Sequence, residues 1–197
     1  MRILVFGDSI AWGAYDQEGG GWVSRLHSKY TDVNNDVNIY NLSISGDTTT
    51  GLLERLEIES KIRNLDVIIF AIGINDAQYL HAKNGLQTPR EDFQNNLSDI
   101  LHIATEFTNE IIFVGLTRVD EAKTRPLARN KNKSYINEHI SRYDEMIEVL
   151  CQDKRLNYIS MKEIVPKEDL LDGLHPSAKG HRKMLKKIKP EIKLLTD

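Results

Sequence analysis

The sequence contains a single cysteine, Cys151, and no apolar run of the ~20 residues that a helix needs to cross a bilayer. One cysteine excludes an intramolecular disulfide and any metal site built from several thiolates, which fits a reducing compartment. We expect Cys151 to be a small side chain of the core, and we expect no insertion into membranes. The residues before Gly7 lack the small-residue cleavage site of a signal peptide, so a cytoplasmic location is the default expectation.

The sequence also lacks an excess of positive charge, since its formal net charge is −3 at pH 7. A surface that binds nucleic acid needs cations to neutralise phosphates, so no nucleic-acid partner is expected. One segment, residues 179–193, is locally basic. Apolar residues recur within and just after it at helical spacing, which favours the solvated face of a packed helix over a membrane or nucleic-acid surface. They are Met184, Leu185, Ile188, Ile192 and Leu195.

Signatures of several other protein classes are missing. No G-x-G-x-x-G or G-x-x-x-x-G-K-[ST] loop follows an apolar run, no G-x-S-x-G elbow surrounds a serine, and there is no H-E-x-x-H or paired-cysteine pattern. We therefore expect no organic cofactor and no metal. Internal repeats, low-complexity tracts and linker-like stretches are absent too, so residues 1–197 are expected to form one domain.

What the sequence does contain is an alternation of two patterns. Short apolar runs predict buried strands, and stretches with apolar residues three and four positions apart predict helices between them. The runs are 3–6, 37–42, 67–72, 111–116 and 156–159, and the helical stretches are 22–30, 48–63, 90–108 and 134–152. This alternation predicts parallel strands joined by right-handed crossovers, and hence a three-layer α/β/α sandwich.

The longest irregular segment, residues 117–134, is polar and basic and follows the fourth apolar run. A loop of this length in a compact domain is often functional. Two interpretations stay open at this point: a lid or substrate wall, and a mobile excursion of the surface.

Residues suited to acyl transfer follow the predicted strands. Ser9 comes after the first strand, Gly46 after the second and Asn75 after the third. Asp172 and His175 lie in a turn-rich segment between the last strand and the last helix. Because ligands bind at the carboxyl ends of parallel strands, we expect these five residues to converge on one edge of the sheet.

The chemistry of these residue types is complementary. An imidazole, with an ordinary pKa near 6.5, is suited to take the proton of a serine hydroxyl, and it needs an acceptor that orients it. An aspartate three residues before a histidine, across a glycine turn, can be that acceptor. Ser9 is thus the predicted nucleophile, His175 the base and Asp172 the orienting acid. The backbone N–H groups of Ser9 and Gly46 and the amide of Asn75 are the predicted donors to an oxyanion.

Other interpretations were weighed for these residues. A second Asp-x-x-His pair, Asp99 and His102, lies within a predicted amphipathic helix with no turn to join the two side chains, and we assign it no role. Either Asp8 or Ser9 is also a candidate helix cap, as is either Asn75 or Asp76. Gly46 is a candidate for a tight turn, with Asp47 or Thr48 capping the next helix. Independent caps and turns would not be expected to supply a nucleophile, a base, an acid and oxyanion donors together.

Four segments, FGDSI, SISGDTT, GINDA and DGLHPS, resemble in order the blocks of the SGNH hydrolases, also called GDSL esterases and lipases. The resemblance spans residues 5–181. It implies a flavodoxin-like sandwich with a five-stranded parallel sheet, a catalytic triad of Ser9, Asp172 and His175, and an oxyanion hole of Ser9, Gly46 and Asn75. Two features depart from the family: the first block ends in isoleucine instead of leucine, and the segment after the fourth strand, GLTRVDEAKTRP at residues 115–126, is longer and more basic than a minimal member of the family needs. The second departure leaves the substrate open.

The expected function is that of a serine hydrolase acting on small-molecule carboxylic esters, including thioesters or acetylated compounds, through an acyl-enzyme on Ser9. A preference for short acyl chains is expected. Tyr79 and Leu80, with residues 117–134, are candidate walls of the substrate pocket, and simple packing is the alternative for both. Two other functions stay open: an acyltransferase that passes the acyl group to a sugar or other alcohol, and a flavodoxin-like module that binds a phosphate or nucleotide.

Overall fold

The centre of the molecule is a sheet of five parallel strands. The computed structural model describes residues 1–32 and 35–196, with side chains described for 1–30 and 36–192. The strands are β1 Arg2–Gly7, β2 Asn38–Asn41, β3 Val67–Ala71, β4 Glu110–Val114 and β5 Asn157–Ile159. Their order in the sheet is β2-β1-β3-β4-β5, and every neighbouring pair is parallel. Successive connections therefore reverse direction between β1 and β3, which is where such sheets bind ligands.

Helices cover the sheet in two packed groups. The helices are α1 Ser9–Trp12, α2 Gly21–Tyr30, α3 Thr49–Leu53, α4 Leu56–Lys61, α5 Arg90–Thr105, α6 Glu121–Thr124, α7 Asn137–Lys154 and α8 Ala178–Thr196. Helix α2 packs against α1 and α8, while α5 packs against α3, α4 and α7. Residues 3–6 of β1 are fully buried, as expected for a strand covered on both faces. The predicted α/β sandwich with a five-stranded parallel sheet is confirmed.

Two elements differ from the sequence prediction. The stretch predicted as one helix over 48–63 is divided into α3 and α4. At the division, the guanidinium of Arg55 reaches back to the carboxylate of Asp47, at 2.6 Å, and to the carbonyl of Leu42, at 2.7 Å. Residues 117–134 are not wholly irregular, because they contain α6 and end in a short strand, Lys133–Ser134.

Small elements complete the connections. Tyr79–Leu80, Gly85–Leu86 and Lys133–Ser134 form a three-stranded antiparallel sheet, and Thr31–Asp32 pairs with Asn35–Asp36. Short 3₁₀ helices occupy His81–Lys83 and Lys167–Asp169. The three-stranded sheet joins the end of the 117–134 segment to the loop that follows β3.

The basic segment belongs to α8, as predicted. Its apolar residues Met184, Leu185, Ile188 and Ile192 are buried, and the side chain of Leu195 lies outside the described residues. Within the described ranges, no helix has both the length and the apolarity to cross a membrane.

Two further predictions about single side chains can be compared with the fold. Cys151 is buried in the core, and burial raises the pKa of its thiol to about 12. Asp99 and His102 are both exposed on α5, in keeping with the absence of a role for that pair.

Candidate active site

Ser9 lies at the start of α1, directly after β1. Asp8 caps this short helix, since its Oδ1 accepts a 2.8 Å hydrogen bond from the backbone N–H of Ile10. Of the two cap candidates, Asp8 and Ser9, the cap is therefore Asp8. The hydroxyl of Ser9 is directed instead to His175.

Asp172 and His175 lie in a tight turn that leads to α8. Gly173 has a φ of +87°, a conformation that favours glycine, and a Cβ at this position would lie 2.7 Å from the Cβ of Lys123. The backbone N–H of Leu171 donates to the carbonyl of His175 at 2.9 Å, which closes the turn. The turn presents both functional side chains to the same side.

The three side chains form one hydrogen-bond relay. The Oγ of Ser9 lies 2.9 Å from the Nε2 of His175, although the two residues are 166 positions apart in the chain. The Nδ1 of the same ring lies 3.1 Å and 3.0 Å from the two carboxylate oxygens of Asp172. The side chain of His175 is only 2% exposed, against 30% for Asp172, so the base is shielded from water while the acid reaches the surface.

Asp172 is held as a carboxylate by several donors. Its Oδ1 accepts hydrogen bonds from the backbone N–H groups of Leu174, at 3.1 Å, and His175, at 2.9 Å. Partial burial acts to raise its pKa, but the hydrogen bonds from the ring and backbone of His175 outweigh burial and hold the pKa well below the usual range. The acid is therefore ionised at neutral pH, and it fixes the ring with Nε2 toward Ser9.

The turn that carries Gly46 lies beside the end of β1. The backbone N–H of Ile44 donates to the carbonyl of Gly7 at 2.9 Å, which holds this turn next to Ser9. Gly46 has a φ of +86°, and no described atom lies within 4 Å of the place where a Cβ would be. The side-chain amide of Asn75 donates to the carbonyl of Asp47 at 2.9 Å, which joins the loop after β3 to this turn. An amide has two N–H groups, so one of the two remains for another acceptor.

Three residues that sequence reasoning missed contact this site. The phenol of Tyr135 donates to the Oδ1 of Asn75 at 2.8 Å. The ring of Tyr15 packs edge-on against His175, with centroids 5.0 Å apart. Arg129 donates to Asp172 at 2.9 Å. No local motif marks these contacts, and the length and charge of the 117–134 segment were the only signals that pointed to Arg129.

Buried carboxylates support the loops at the strand ends. Burial, with smaller contributions from the neighbouring Asp76 and Asp47, raises the pKa of Asp8 to about 7. Burial likewise raises the pKa of Asp76 to about 6, although its Oδ1 accepts a 2.6 Å hydrogen bond from the hydroxyl of Thr49. Within the described part of the chain, no three His, Cys, Asp or Glu side chains are grouped so that they could hold a metal ion.

A cavity of about 800 Å³ lies on the Asp172 side of the relay. Its lining includes Tyr15, Leu127, Arg129 and Leu171, and of the relay only Asp172 reaches it. The segment 117–134 thus does form a wall, but that wall adjoins the acid and not the nucleophile.

Tyr79 and Leu80, the other candidate pocket residues, are in the small antiparallel sheet. Leu80 is buried, and the ring of Tyr79 packs between His81 and His139. Neither residue lines the cavity beside Asp172. Their role as pocket walls stays a prediction.

A hydroxyl, an imidazole and a carboxylate thus lie in series at the carboxyl edge of a parallel sheet, an arrangement that can activate the hydroxyl for nucleophilic attack. The sequence profile of the GDSL-like lipase/acylhydrolase family matches residues 5–183, and the chain belongs to this family of ester-hydrolysing enzymes.

Individual proteins are similar to part or all of the chain. Esterase TesA of Pseudomonas aeruginosa is 26% identical over 198 residues, covering 99% of this chain and 89% of that protein. The uncharacterized protein YpmR of Bacillus subtilis is 30% identical over 97 residues, which cover 47% of this chain and 38% of that protein. The crystal structure of a lipase/acylhydrolase from Enterococcus faecalis superposes with a TM-score of 0.79 at 24% identity, covering 100% of this chain and 97% of the other. That likeness supports the fold.

Proposed function

We propose that Ser9, His175 and Asp172 are the catalytic triad of this enzyme and that Ser9 carries the acyl group between the two halves of ester hydrolysis. The observation that carries the proposal is the unbroken relay from the hydroxyl of Ser9 through His175 to Asp172, with heavy-atom distances of 2.9 Å and 3.0 Å. These distances are within the reach at which a base can take a proton from a nucleophile.

In the first half-reaction, Nε2 of His175 takes the proton of Ser9 while the serine oxygen attacks the ester carbonyl. The resulting imidazolium is stabilised by the carboxylate of Asp172 and then gives its proton to the leaving alcohol, so the C–O bond of the ester breaks as the acyl-enzyme forms. In the second half, water attacks the acyl-enzyme with His175 again as the base. The carboxylic acid leaves and Ser9 regains its proton.

The negative oxygen of each tetrahedral intermediate requires donors fixed in advance. We assign this role to the backbone N–H groups of Ser9 and Gly46 and to the second N–H of the Asn75 amide. The support is the bond from Asn75 to the carbonyl of Asp47, which joins the loop that carries Asn75 to the turn that carries Gly46. Loss of one such donor typically reduces kcat by about 10²–10³-fold.

The proposed substrates are small carboxylic esters with short acyl chains. The named relative of nearly equal length is an esterase, which favours transfer of the acyl group to water. The single buried cysteine supports a reducing, cytoplasmic setting for this enzyme, with residues 1–197 acting as one domain.

Turnover of p-nitrophenyl acetate, butyrate and octanoate by the wild type and by Ser9→Ala tests the proposal. We expect the wild type to prefer acetate or butyrate and Ser9→Ala to lose roughly 10³-fold or more in kcat/KM. Ser98→Ala, which alters an exposed serine on α5, serves as the matched control and should keep full activity. Equal rates for Ser9→Ala and the wild type would remove Ser9 from the mechanism.

Covalent labelling gives a second measurement that does not depend on the choice of ester. A serine-directed alkyl phosphonate should add once to the wild type and not to Ser9→Ala, as read by intact mass. Addition of methanol or glycerol to the ester assay then separates hydrolysis from transfer. Hydrolysis predicts that the acid stays the main product, and accumulation of the new ester at modest alcohol concentration would identify a transferase.

A further inference from the structure

The segment 117–134 is anchored to the body of the protein. Its Asp120 caps α6 and donates its backbone N–H to the carbonyl of Gly173, inside the Asp172–His175 turn, at 2.8 Å. Leu127 is buried, and its N–H donates to the carbonyl of Lys133 at 2.7 Å. The segment therefore holds a fixed position beside the relay.

This segment delivers Arg129 to two acceptors at once. Its Nη1 donates to Oδ2 of Asp172 at 2.9 Å and to the hydroxyl of Tyr15 at 2.6 Å. The guanidinium also lies over the ring of Tyr15, 5.6 Å from its centre. Tyr15 in turn packs edge-on against the imidazole of His175. Arg129 and Tyr15 thus enclose the acid and the base of the relay from the cavity side.

Oδ2 of Asp172 accepts hydrogen bonds from two side chains. It accepts from Nδ1 of His175 at 3.0 Å and from Arg129 at 2.9 Å. The guanidinium is always charged, so its hydrogen bond to the carboxylate is charge-assisted. It also fixes the plane of the carboxylate, which keeps the ring in line with Ser9.

We propose that Arg129 is a positioning residue: by binding Asp172 from the 117–134 segment it fixes the carboxylate that aligns His175 with Ser9. The inference rests on the proposed function, since it assumes that His175 is the base. In this proposal, residues 117–134 position Asp172 and do not act as a lid.

Other groups also surround the imidazole of His175. Ser9 and Asp172 are its direct partners, and Tyr15 touches its ring. On α8, burial lowers the pKa of His181 to about 4, so this neighbour is neutral over the working pH range. Burial raises the pKa of Asp8, next to Ser9, to about 7, and this residue is unchanged in every variant named below.

The test compares kcat and KM for p-nitrophenyl acetate in Arg129→Gln and in the wild type across the pH range. The plateau kcat should fall roughly threefold to tenfold, with KM little changed. Arg129→Lys keeps the charge without the rigid fork, so it should repair the loss of kcat only in part.

Controls separate this role from an ordinary surface ion pair. Arg118→Gln removes an exposed charge in the same segment, one paired with Glu163 at 3.2 Å, and should leave kcat unchanged. In an Asp172→Asn background, Arg129→Gln should cause little further loss of kcat, because the carboxylate that it positions is gone. Equal kcat values for Arg129→Gln and the wild type would overturn the inference, and so would an equal loss of kcat in Arg118→Gln. Ser9→Ala should lose activity in either case. The test of Arg129 can therefore fail without contradicting the proposed function.

Discussion

The phenol of Tyr135 donates a 2.8 Å hydrogen bond to the side-chain oxygen of Asn75, and both side chains are buried. This bond determines which end of the amide faces the carbonyl of Asp47, because an oxygen accepts from the phenol and a nitrogen donates to the carbonyl. Tyr135 thus orients the proposed oxyanion donor by binding the oxygen of the Asn75 amide, while the nitrogen of the same amide carries the donating N–H groups. Burial is the main reason that the pKa of Tyr135 lies far above its ordinary value, so the phenol keeps its proton and remains a donor.

Replacement of Tyr135 by phenylalanine should lower kcat roughly tenfold with little change in KM, since the amide loses its orientation but not its N–H groups. Asn75→Ala should cost about 10²–10³-fold, and Tyr135→Phe should then add little. Tyr158→Phe is a matched control, because it removes a phenol bound to Asp144 away from the relay. A tenfold loss in Tyr158→Phe, or none in Tyr135→Phe, would contradict the orienting role.

Within the proposed triad, we expect unequal losses. His175→Ala should be nearly as damaging as Ser9→Ala, because without the base the hydroxyl stays protonated. Asp172→Ala should retain roughly a hundredfold more activity than His175→Ala, since the ring loses its orienting partner but can still accept a proton. Steady-state kinetics on a short-chain ester measure all three variants. An Asp172→Ala enzyme as inactive as Ser9→Ala would show that the acid does more than orient the ring.

The acidic side of the pH–rate profile follows from the same relay. A protonated imidazole cannot take the proton of Ser9, so kcat/KM should decline as the pH drops from 8 to 5. The carboxylate of Asp172 stays ionised throughout this range, because its pKa is held well below the usual value. Rates measured from pH 5 to 8 in buffers of constant ionic strength provide the check. A flat profile would count against His175 as the base.

The sequence was sufficient to predict the parts of the site that lie in contiguous blocks. Ser9, Gly46, Asn75 and His175 each follow a strand or precede a helix, and parallel strands bring such positions to one edge without further information. The same argument cannot find Tyr135 or Arg129, because their partners lie in other loops and the spacing between them is set by tertiary packing.

The division of the helix predicted over 48–63 has a similar cause. The apolar spacing continues through the break, and only the bonds from Arg55 to Asp47 and Leu42 show that the backbone turns there. Side-chain contacts of this kind override a local pattern, since a charged hydrogen bond contributes about as much as the helical bonds that it replaces.

Buried His181 gives a prediction about stability. Its ring is fully buried on α8, and neither ring nitrogen has a hydrogen-bond partner among the described residues. Burial is the main cause that lowers its pKa from 6.5 to about 4, which means that the unfolded chain binds this proton more readily than the folded one. The contribution to stability is therefore complete above pH 6.5 and is lost as the pH falls toward 4, by about 3 kcal/mol at 1.36 kcal/mol per pKa unit.

Unfolding free energies of the wild type and of His181→Leu at pH 7.5 and 4.5 test this effect. The carboxyl groups of Asp8 and Asp76, whose pKa values are raised to about 7 and about 6, gain stability on acidification, but equally in both proteins. The difference between the proteins therefore isolates the histidine. Between the two pH values the wild type should lose about 2–3 kcal/mol more than His181→Leu. His102→Leu, on the exposed face of α5, should behave as the wild type does, and equal losses in wild type and His181→Leu would show that the ring is protonated in the fold without cost.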